Sequence, residues 1–312
     1  MTEHFYKAFE DQHRGSRELI KSRLNVYLPF ITPLRNYYEN SQTIDLGCGR
    51  GEWLELLQDL GGFDAHGVDL DQGMLAVCEA QGLQYKHQDA LTSLIELEDE
   101  SQSIVTGFHI AEHIPFESLQ TLVQQALRVL KPGGLLILET PNPENIVVGT
   151  AEFYMDPTHN QPIPPNLLAF IPGHYGFEKT KIVRLQEDQD LKHSDSIQLI
   201  DVLKGVSPDY AVVAQKKAPD DLASNYETVF AQDYGLNLEV LAEKYHQQEI
   251  QKLAQLTAAL ELRFQAAEAK TQAAEAKTLA AQQHIQALLT SKSWQLTKPL
   301  RACLSFVQRL LK

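Results

Sequence analysis

An acidic residue stands at the end of each of three successive short apolar runs: Asp45 in 43–46, Asp69 in 65–69 and Asp89 just after 83–87. Amphipathic stretches at 52–60 and 73–80 separate the runs, and a third lies at 117–130. Short apolar runs alternating with helix-length amphipathic segments specify an α/β sheet with helices on its faces. Further strand-like runs occupy 104–108, 135–139, 178–185 and 210–216, the last two flanking an insertion around 193–205. Lys131-Pro132-Gly133-Gly134 reads as a stop and turn after the third amphipathic stretch. Residues 141–172 are rich in proline and read as a long irregular loop, which inside a compact domain is usually a lid or a binding loop. Ahead of the first strand, residues 4–38 read as two or three helices.

The first acid is embedded in Thr43-Ile-Asp-Leu-Gly-Cys-Gly-Arg-Gly51, followed by Glu52-Trp53-Leu54, a strand, a glycine turn and a helix start. Glycines at 47, 49 and 51 allow close backbone approach to a ligand, and the helix start offers free N–H groups. The G-x-G-x-G spacing is a poor match to the G-x-G-x-x-G pyrophosphate turn of dinucleotide enzymes. Asp45 would also repel a pyrophosphate and favour a cation such as a sulfonium or an ammonium group. Asp69, twenty-four residues on, holds the position from which a carboxylate accepts both hydroxyl protons of a ribose. Asp89, twenty further on, is placed to accept from an adenine amino group. Each acid singly could instead cap the helix that follows it.

These residues resemble the class I S-adenosylmethionine-dependent methyltransferases over about residues 40–216. IDLGCGRG (44–51) is similar to that family's first motif, VDLDQG (68–73) to its ribose-binding strand end and QDA (88–90) to its adenine contact. RVLKPGGLLILETPNP (128–143) is similar to its fifth strand and the approach to it. The resemblance implies a Rossmann-like seven-stranded sheet with a reversed final hairpin, and S-adenosyl-L-methionine as cofactor. It further implies that Gly47, Gly49, Asp69, Asp89 and Ala90 contact the cofactor, with Asp45 orienting its amino group through the turn. Arg50 departs from the small or polar residue often found in that motif and is expected to point outward. Arg14, near Tyr6 and Arg17 in the N-terminal helical region, could pair with the cofactor's carboxylate; a solvated helix face is the competing reading.

After the fourth strand, Phe108-His-Ile-Ala-Glu-His-Ile-Pro115 spaces His109, Glu112 and His113 so that one helical turn would present them together. Three readings stand: Glu112 and His113 bond loop backbone; His109 or His113 serves as a general base, with Glu112 beside it; or His109, Glu112, His113 and His159 hold a divalent metal. His159 belongs to Asp156-Pro-Thr-His159 in the proline-rich segment, which would fold over the same sheet edge. The metal reading rests on a likeness to the E-x-x-E-H motif of some relatives, from which His109 departs at the first position.

From 236 to about 291 the chain lacks proline, and glycine is absent too. The heptad QAAEAKT is repeated without change at 265–271 and 272–278. A seven-residue period implies a left-handed supercoiling seam. One register places Ile250, Thr257, Phe264, Thr271, Thr278 and Ile285 at a, and Leu253, Leu260, Ala267, Ala274, Ala281 and Leu288 at d. A self-associating coiled coil is expected, against the alternative of a solvated spacer helix. After Pro299, Leu300, Leu304, Val307 and Leu311 form one helical stripe, widened by Cys303, Phe306 and Leu310 and edged by Arg and Lys. Such a helix suits an anionic lipid surface or a partner enzyme.

Charge separates the parts. The net charge is −14, yet residues 291–312 carry +5 with no acid, leaving −19 for residues 1–290. So acidic a body repels phosphate backbones, which argues against nucleic acid as a partner. No run of 18 apolar residues spans a bilayer, and the charged N-terminus does not read as a signal peptide. Cys48, Cys78 and Cys303 lack metal-ligand pairing and fit a reducing cytoplasm.

The expected organisation is an N-terminal helical cap (1–40), a methyltransferase domain (41–218), a linker (219–235), a coiled coil (236–292) and a basic amphipathic tail (293–312). FEDQ and RGSRE openings, HIAEHIPFE, ETPNPEN, DPTHNQPIPP and a coiled coil resemble methyltransferases of bacterial surface-polysaccharide (O-antigen) assembly, and SWQLTKPLR (293–301) resembles a tail on polysaccharide glycosyltransferases. That likeness implies O-methylation of a sugar hydroxyl or terminal phosphate, which in some relatives stops chain growth. The protein is expected in the cytoplasm, either free or peripheral on the inner face of the cell membrane, as a homo-oligomer through the coiled coil, with the tail meeting either a glycosyltransferase partner or an anionic membrane surface. The alternatives are a methyltransferase of a small lipophilic acceptor such as a quinone, or a non-catalytic scaffold with a relic cofactor domain. A nicotinamide-dependent oxidoreductase shares the fold idea but wants other glycine spacing.

Overall fold

The computed structural model describes residues 15–310, and the chain divides into two units, one ending at Tyr245 and the other beginning at His246. The first unit is built on a seven-stranded sheet in the order β3-β2-β1-β4-β5-β7-β6. Its strands are β1 (Ser41–Leu46), β2 (Phe63–Asp69), β3 (Tyr85–His87), β4 (Gln102–Phe108), β5 (Leu130–Pro141), β6 (Lys179–Leu185) and β7 (Asp209–Gln215). Strands β1 to β5 run parallel, and β7 is antiparallel to both β5 and β6. This is the sheet with a reversed final hairpin that the sequence implied. The strand order reverses between β1 and β4, and ligands of open α/β sheets bind outside the carboxyl ends of strands at such a switch point.

Helices Glu52–Leu60, Gln72–Ala80 and Phe116–Val129 fall where periodicity placed them. One core layer packs Leu119, Leu122, Val123 and Ala126 of the last helix against Leu136, Leu138 and Val212 of the sheet. On the other face, Tyr27, Phe30, Ile31 and Leu34 meet Trp53, Leu57, Ile137 and Val213. The N-terminal expectation holds for the described part, as helix Arg17–Leu24, a short 3-10 turn and helix Leu28–Tyr37. Arg14 and Tyr6 lie outside the described residues.

Three boundaries differ from the sequence reading. Lys131-Pro132-Gly133-Gly134 is the opening of β5, where its pairing with β4 shifts register, and not a turn ahead of the strand. Residues 141–172 hold helix Ile146–Thr150, a 3-10 turn at Glu152–Met155 and the start of helix Pro165–Tyr175. Asn145 caps the first of these and proline occupies a first-turn position of the last, where its missing N–H costs nothing. The expected linker 219–235 is part of the domain: Leu222 and Tyr226 are fully buried in the second core layer, and Leu236 and Leu241 pack with Val202 and Val206.

The second unit continues helix Leu238–Thr290, 53 residues that span about 80 Å at 1.5 Å per residue. Helices Lys292–Leu296 and Lys298–Leu310 follow. The apolar a and d positions Ile250, Leu253, Leu260, Phe264, Ile285 and Leu288 are all exposed in the single chain.

The most demanding contact in the sheet is at Gly67 of β2, where the β1 turn crosses. A Cβ there would lie 2.5 Å from both Cβ and Sγ of Cys48 and 2.8 Å from Leu54 Cδ1. Gly67→Ala is therefore expected to cost about 1–3 kcal/mol, read as a lowered urea midpoint. Gly173→Ala, which meets nothing within 4 Å, is the control that leaves the midpoint unchanged or raises it.

Candidate functional site

The glycine turn is held on both sides. Gly47 and Cys48 donate their N–H groups to Val68 O at 2.8 and 3.0 Å, and Gly51 donates to Cys48 O at 2.9 Å. Gly51 caps helix Glu52–Leu60 at φ +81°, a left-handed conformation that glycine adopts without strain. The N–H of Gly49 bonds the Asp69 carboxylate at 2.8 Å, and the other Asp69 oxygen accepts from Asp71 N at 2.8 Å. The strand-end acid thus ties the turn after β1 to the end of β2. The sequence offers Asp69 a ligand or a helix cap and does not show this tether; each carboxylate oxygen retains a second lone pair.

Asp45 is buried at the end of β1 and accepts the Thr106 hydroxyl at 2.7 Å. Asp89 is exposed and caps helix Ala90–Glu96, its Oδ1 accepting from Thr92 N and Thr92 Oγ1 at 2.8 and 2.9 Å. Asp45, Asp69 and Asp89 follow one another along the carboxyl ends of the adjacent strands β1, β2 and β3. Gly47, Gly49 and Ala90 belong to the same margin. Arg50 does not project freely: it pairs with Glu52 at 2.8 Å and donates to Gly15 O at 3.2 Å. Arg17 donates to Arg50 O at 2.7 Å and to Glu55 at 2.5 Å, so it braces the turn.

Next along the margin, Ile110 packs on the turn: a Cβ on Gly47 would sit 3.3 Å from Ile110 Cδ1. On either side of Ile110 the structure divides the residues that the sequence grouped. Only Ala111–His113 makes a turn, of 3-10 type, which Ile114-Pro115 ends. His109 adopts φ +55°, unusual for a residue with a side chain.

His109 bonds Glu112 Oε1 through Nδ1 at 3.1 Å and lies 3.6 Å from Glu139 Oε1 through Nε2. Glu139 of β5 also accepts the buried Tyr27 hydroxyl. Asp209, the first residue of β7, completes a cluster in which His109, Glu139 and Asp209 each bring a ligand-type atom within 4.8 Å of the others. Burial opposes a charge on His109, but the hydrogen bonds to Glu112 and Glu139 outweigh it and hold its pKa well above the usual imidazole value. Burial of Asp209, beside Glu139 and Glu112, raises its pKa to about 6 although His109 acts the other way.

His113 faces a different group. Its Nδ1 lies 2.9 Å from Thr158 Oγ1, and that hydroxyl gives its one proton to Asp156 Oδ1 at 2.6 Å. The imidazole must then donate from Nδ1, which leaves a lone pair on Nε2. His159 Nδ1 donates to Phe153 O at 2.6 Å, since a carbonyl can only accept. Burial lowers the His113 pKa below the usual value, so it is neutral at pH 7. Glu112, fully buried, accepts from Thr140 Oγ1 at 2.9 Å; burial works against its charge, but pairing with His109 keeps its carboxyl below the usual carboxylate range.

The expected four-residue metal set does not form as one site. Glu112, His113 and His159 come together, whereas His109 turns to Glu139 and Asp209. The cause is the left-handed backbone at His109, which breaks the helical spacing. One carboxylate and two imidazoles fit a divalent cation as donors, and they equally fit acid–base work. As expected, the 156–160 segment docks here: Asn160 N donates to Glu112 O and Asn160 Nδ2 to His113 O, both at 2.8 Å. Glu139, Asp209 and Tyr27 escaped sequence reasoning because strand pairing alone brings them to His109; Glu139 in the ETPNP segment was the one legible hint.

A family model described as a methyltransferase domain matches residues 44–138. A probable S-adenosylmethionine-dependent methyltransferase of Mycolicibacterium smegmatis is 29% identical over 99 residues, 32% of this chain and 37% of that one. A demethylmenaquinone methyltransferase of Bacillus pumilus is 30% identical over 124 residues, 36% of this chain and 51% of its own. The chain thus spans about half or less of these curated relatives. The crystal structure of a SAM dependent methyltransferase from Archaeoglobus fulgidus is 31% identical, with a TM-score of 0.60, and the match covers 68% of this chain and 100% of that one. With that whole protein matched in sequence and fold, and with the glycine turn and its strand-end acids in place, this chain belongs to the S-adenosylmethionine-dependent methyltransferases.

Proposed function

We propose that the chain transfers a methyl group from S-adenosylmethionine to a hydroxyl of a carbohydrate acceptor, in bacterial surface-polysaccharide assembly, where such a cap would stop chain growth. The observation that carries the acceptor class is the polar wall beside the glycine turn: His109, Glu112, His113, Glu139, His159 and Asp209. Bound S-adenosylmethionine supplies a methyl already activated on a sulfonium. Gly47, Gly49, Asp69, Asp89 and Ala90 would contact the cofactor, with buried Asp45 orienting its amino group through the turn. The protein's own task is then to orient a hydroxyl and take its proton.

His113 suits the second part, being neutral and carrying its lone pair on Nε2. His109 does not, because Glu112 and Glu139 keep it protonated and take both of its N–H groups; its side chain, 40% exposed, offers the acceptor a fixed positive charge and no free donor. Three carboxyls against one imidazolium disfavour a phosphate nucleophile, so of the two acceptor atoms a sugar hydroxyl fits better. A quinone acceptor is the second reading, favoured by the name of the Bacillus pumilus relative. The acid-rich wall suits hydroxyls that donate more than an apolar ring. Incubation with labelled cofactor and either a glycan or a demethylated quinone separates them: label in the glycan is the expected result, and label in the quinone alone reverses the reading.

Asp69→Ala is expected to weaken S-adenosylmethionine binding by about 2–4 kcal/mol, since it removes charge-assisted bonds to ligand and to Gly49 together. Calorimetry checks this, and equal affinity refutes the assignment.

The pH profile tests the base. A base works only when unprotonated, and the lowered pKa of His113 moves the acid limb of kcat/KM below the ordinary imidazole value near 6.5. His113→Gln should remove that limb and lower turnover by roughly 10²–10⁴-fold. The profile should survive chelation. If chelation abolishes turnover and a divalent cation restores it, Glu112, His113 and His159 are metal ligands instead.

The exposed apolar a and d positions support self-association of the long helix as a coiled coil. The full chain should sediment as a dimer or larger species, and Leu253→Glu with Leu260→Glu should return it to monomer. Unchanged mass in the double variant would leave the helix as a spacer.

A further inference from the structure

We propose that helix Lys298–Leu310 is a surface for an anionic lipid bilayer, on which it lies flat without crossing. Methyl transfer requires nothing of this segment, so it needs a separate explanation. At about 100° per residue, Pro299, Leu300, Cys303, Leu304, Phe306, Val307 and Leu310 occupy one continuous arc of roughly 160°. The opposite arc holds Lys298, Arg301, Ser305, Gln308 and Arg309. Leu300, Leu304, Phe306, Val307 and Leu310 are each more than half exposed, so this apolar face is uncovered within the chain. Leu311, which the sequence added to the stripe, lies outside the described residues.

Charge selects the occupant. Residues 291–312 carry +5 and no acid, in a chain of net charge −14. A negative membrane surface therefore attracts this segment and repels the remainder. Because no described helix is long and apolar enough to cross a membrane, the geometry is that of an interfacial helix. The preceding turn is built to keep an aromatic beside it. Arg301 stacks on the Trp294 ring at 3.7 Å from its centroid and donates to Trp294 O at 2.6 Å. Ser291 caps helix Lys292–Leu296, which presents Trp294 and the exposed Leu296. An indole next to an apolar arc with a basic border is a composition suited to the headgroup level of a bilayer.

The test is co-sedimentation of the full chain with vesicles of phosphatidylcholine alone and of phosphatidylcholine mixed with phosphatidylglycerol. Pelleting with the mixed vesicles, absent with phosphatidylcholine alone, is expected. Lys298→Gln and Arg309→Gln should each lower the partition coefficient roughly fivefold, the equivalent of about 1 kcal/mol per cation. Leu304→Glu with Val307→Glu should abolish pelleting. Calorimetric S-adenosylmethionine binding by each variant confirms that the domain is intact, so loss of lipid binding is separable from misfolding. Failure of the parent chain to pellet with either vesicle overturns the proposal, and so does undiminished pelleting of the double variant. A helix reserved for a protein partner gives the first of these outcomes.

Discussion

The bond from Gly49 N–H to the Asp69 carboxylate is the constraint on which the shape of the sheet's candidate cofactor margin depends. A turn with three glycines has many conformations open to it, and fixing them costs about 1–2 kcal/mol per residue. Three features of this chain offset that cost at one place. Val68 O accepts two N–H groups from the turn, Asp69 accepts a third, and Gly67 leaves the space into which Cys48 fits. The acid that shapes the turn also ends the strand, and each of its oxygens keeps a second lone pair for a further donor.

One turn of chain after β4 produces two histidines of opposite character, and the difference follows from what each nitrogen can reach. His109, in its left-handed conformation, is aimed at carboxylates on β5 and beside it, so its protonated form is favoured. His113, four residues on, meets hydroxyl and imidazole neighbours and is buried, so its neutral form is favoured. Groups in one site whose surroundings push their pKa values apart are suited to different tasks in proton transfer. Under the proposed function the separation would give a fixed cation beside the acceptor and a neutral base to deprotonate it. Of the carboxyls around His109, Glu112 and Glu139 are buried behind it and Asp209 is partly exposed.

The sheet was legible because buried parallel strands must be short apolar runs and because glycine turns and strand-end acids are local in sequence. Asp45, Asp69 and Asp89 needed only adjacency of strands to converge. Of the partners of His109, Glu112 was legible from its spacing, whereas the strand residues were not. Glu139 and Asp209 meet it through the β4–β5 and β5–β7 pairings, and Asp209 becomes a site residue only because β7 runs backwards. The grouping of His109 with His113 failed because periodicity assumes an unbroken helix, and a positive φ at His109 removes that assumption. Residues 219–235 open on Pro219-Asp220-Asp221, which reads as a domain end, but Leu222, Tyr226, Val229, Phe230 and Tyr234 follow at helical spacing. Leu222 and Tyr226 are fully buried and the other three pack beside them, which holds the segment against the core.

The long helix poses the converse problem, in which local sequence is clear and the packing is what must be argued. Its middle heptads offer Thr271, Ala267, Thr278 and Ala274, and the threonine hydroxyls bond back to the carbonyls four residues earlier. A hydroxyl so occupied has its donor satisfied, and burying it against a partner helix then leaves no unpaired donor. Small side chains contribute little apolar area but let two helices approach closely. Leu253, Leu260 and Phe264 before this stretch, and Ile285 and Leu288 after it, are large, and burying each is worth about 1.5–3 kcal/mol. In the proposed coiled coil the attraction between copies would be concentrated at the two ends of the seam. The repeated QAAEAKT between them keeps the seven-residue period unbroken, so that both ends could meet their counterparts in one register. Inserting a single residue within the repeat would rotate one apolar end away from the seam while leaving every local helix preference as it was.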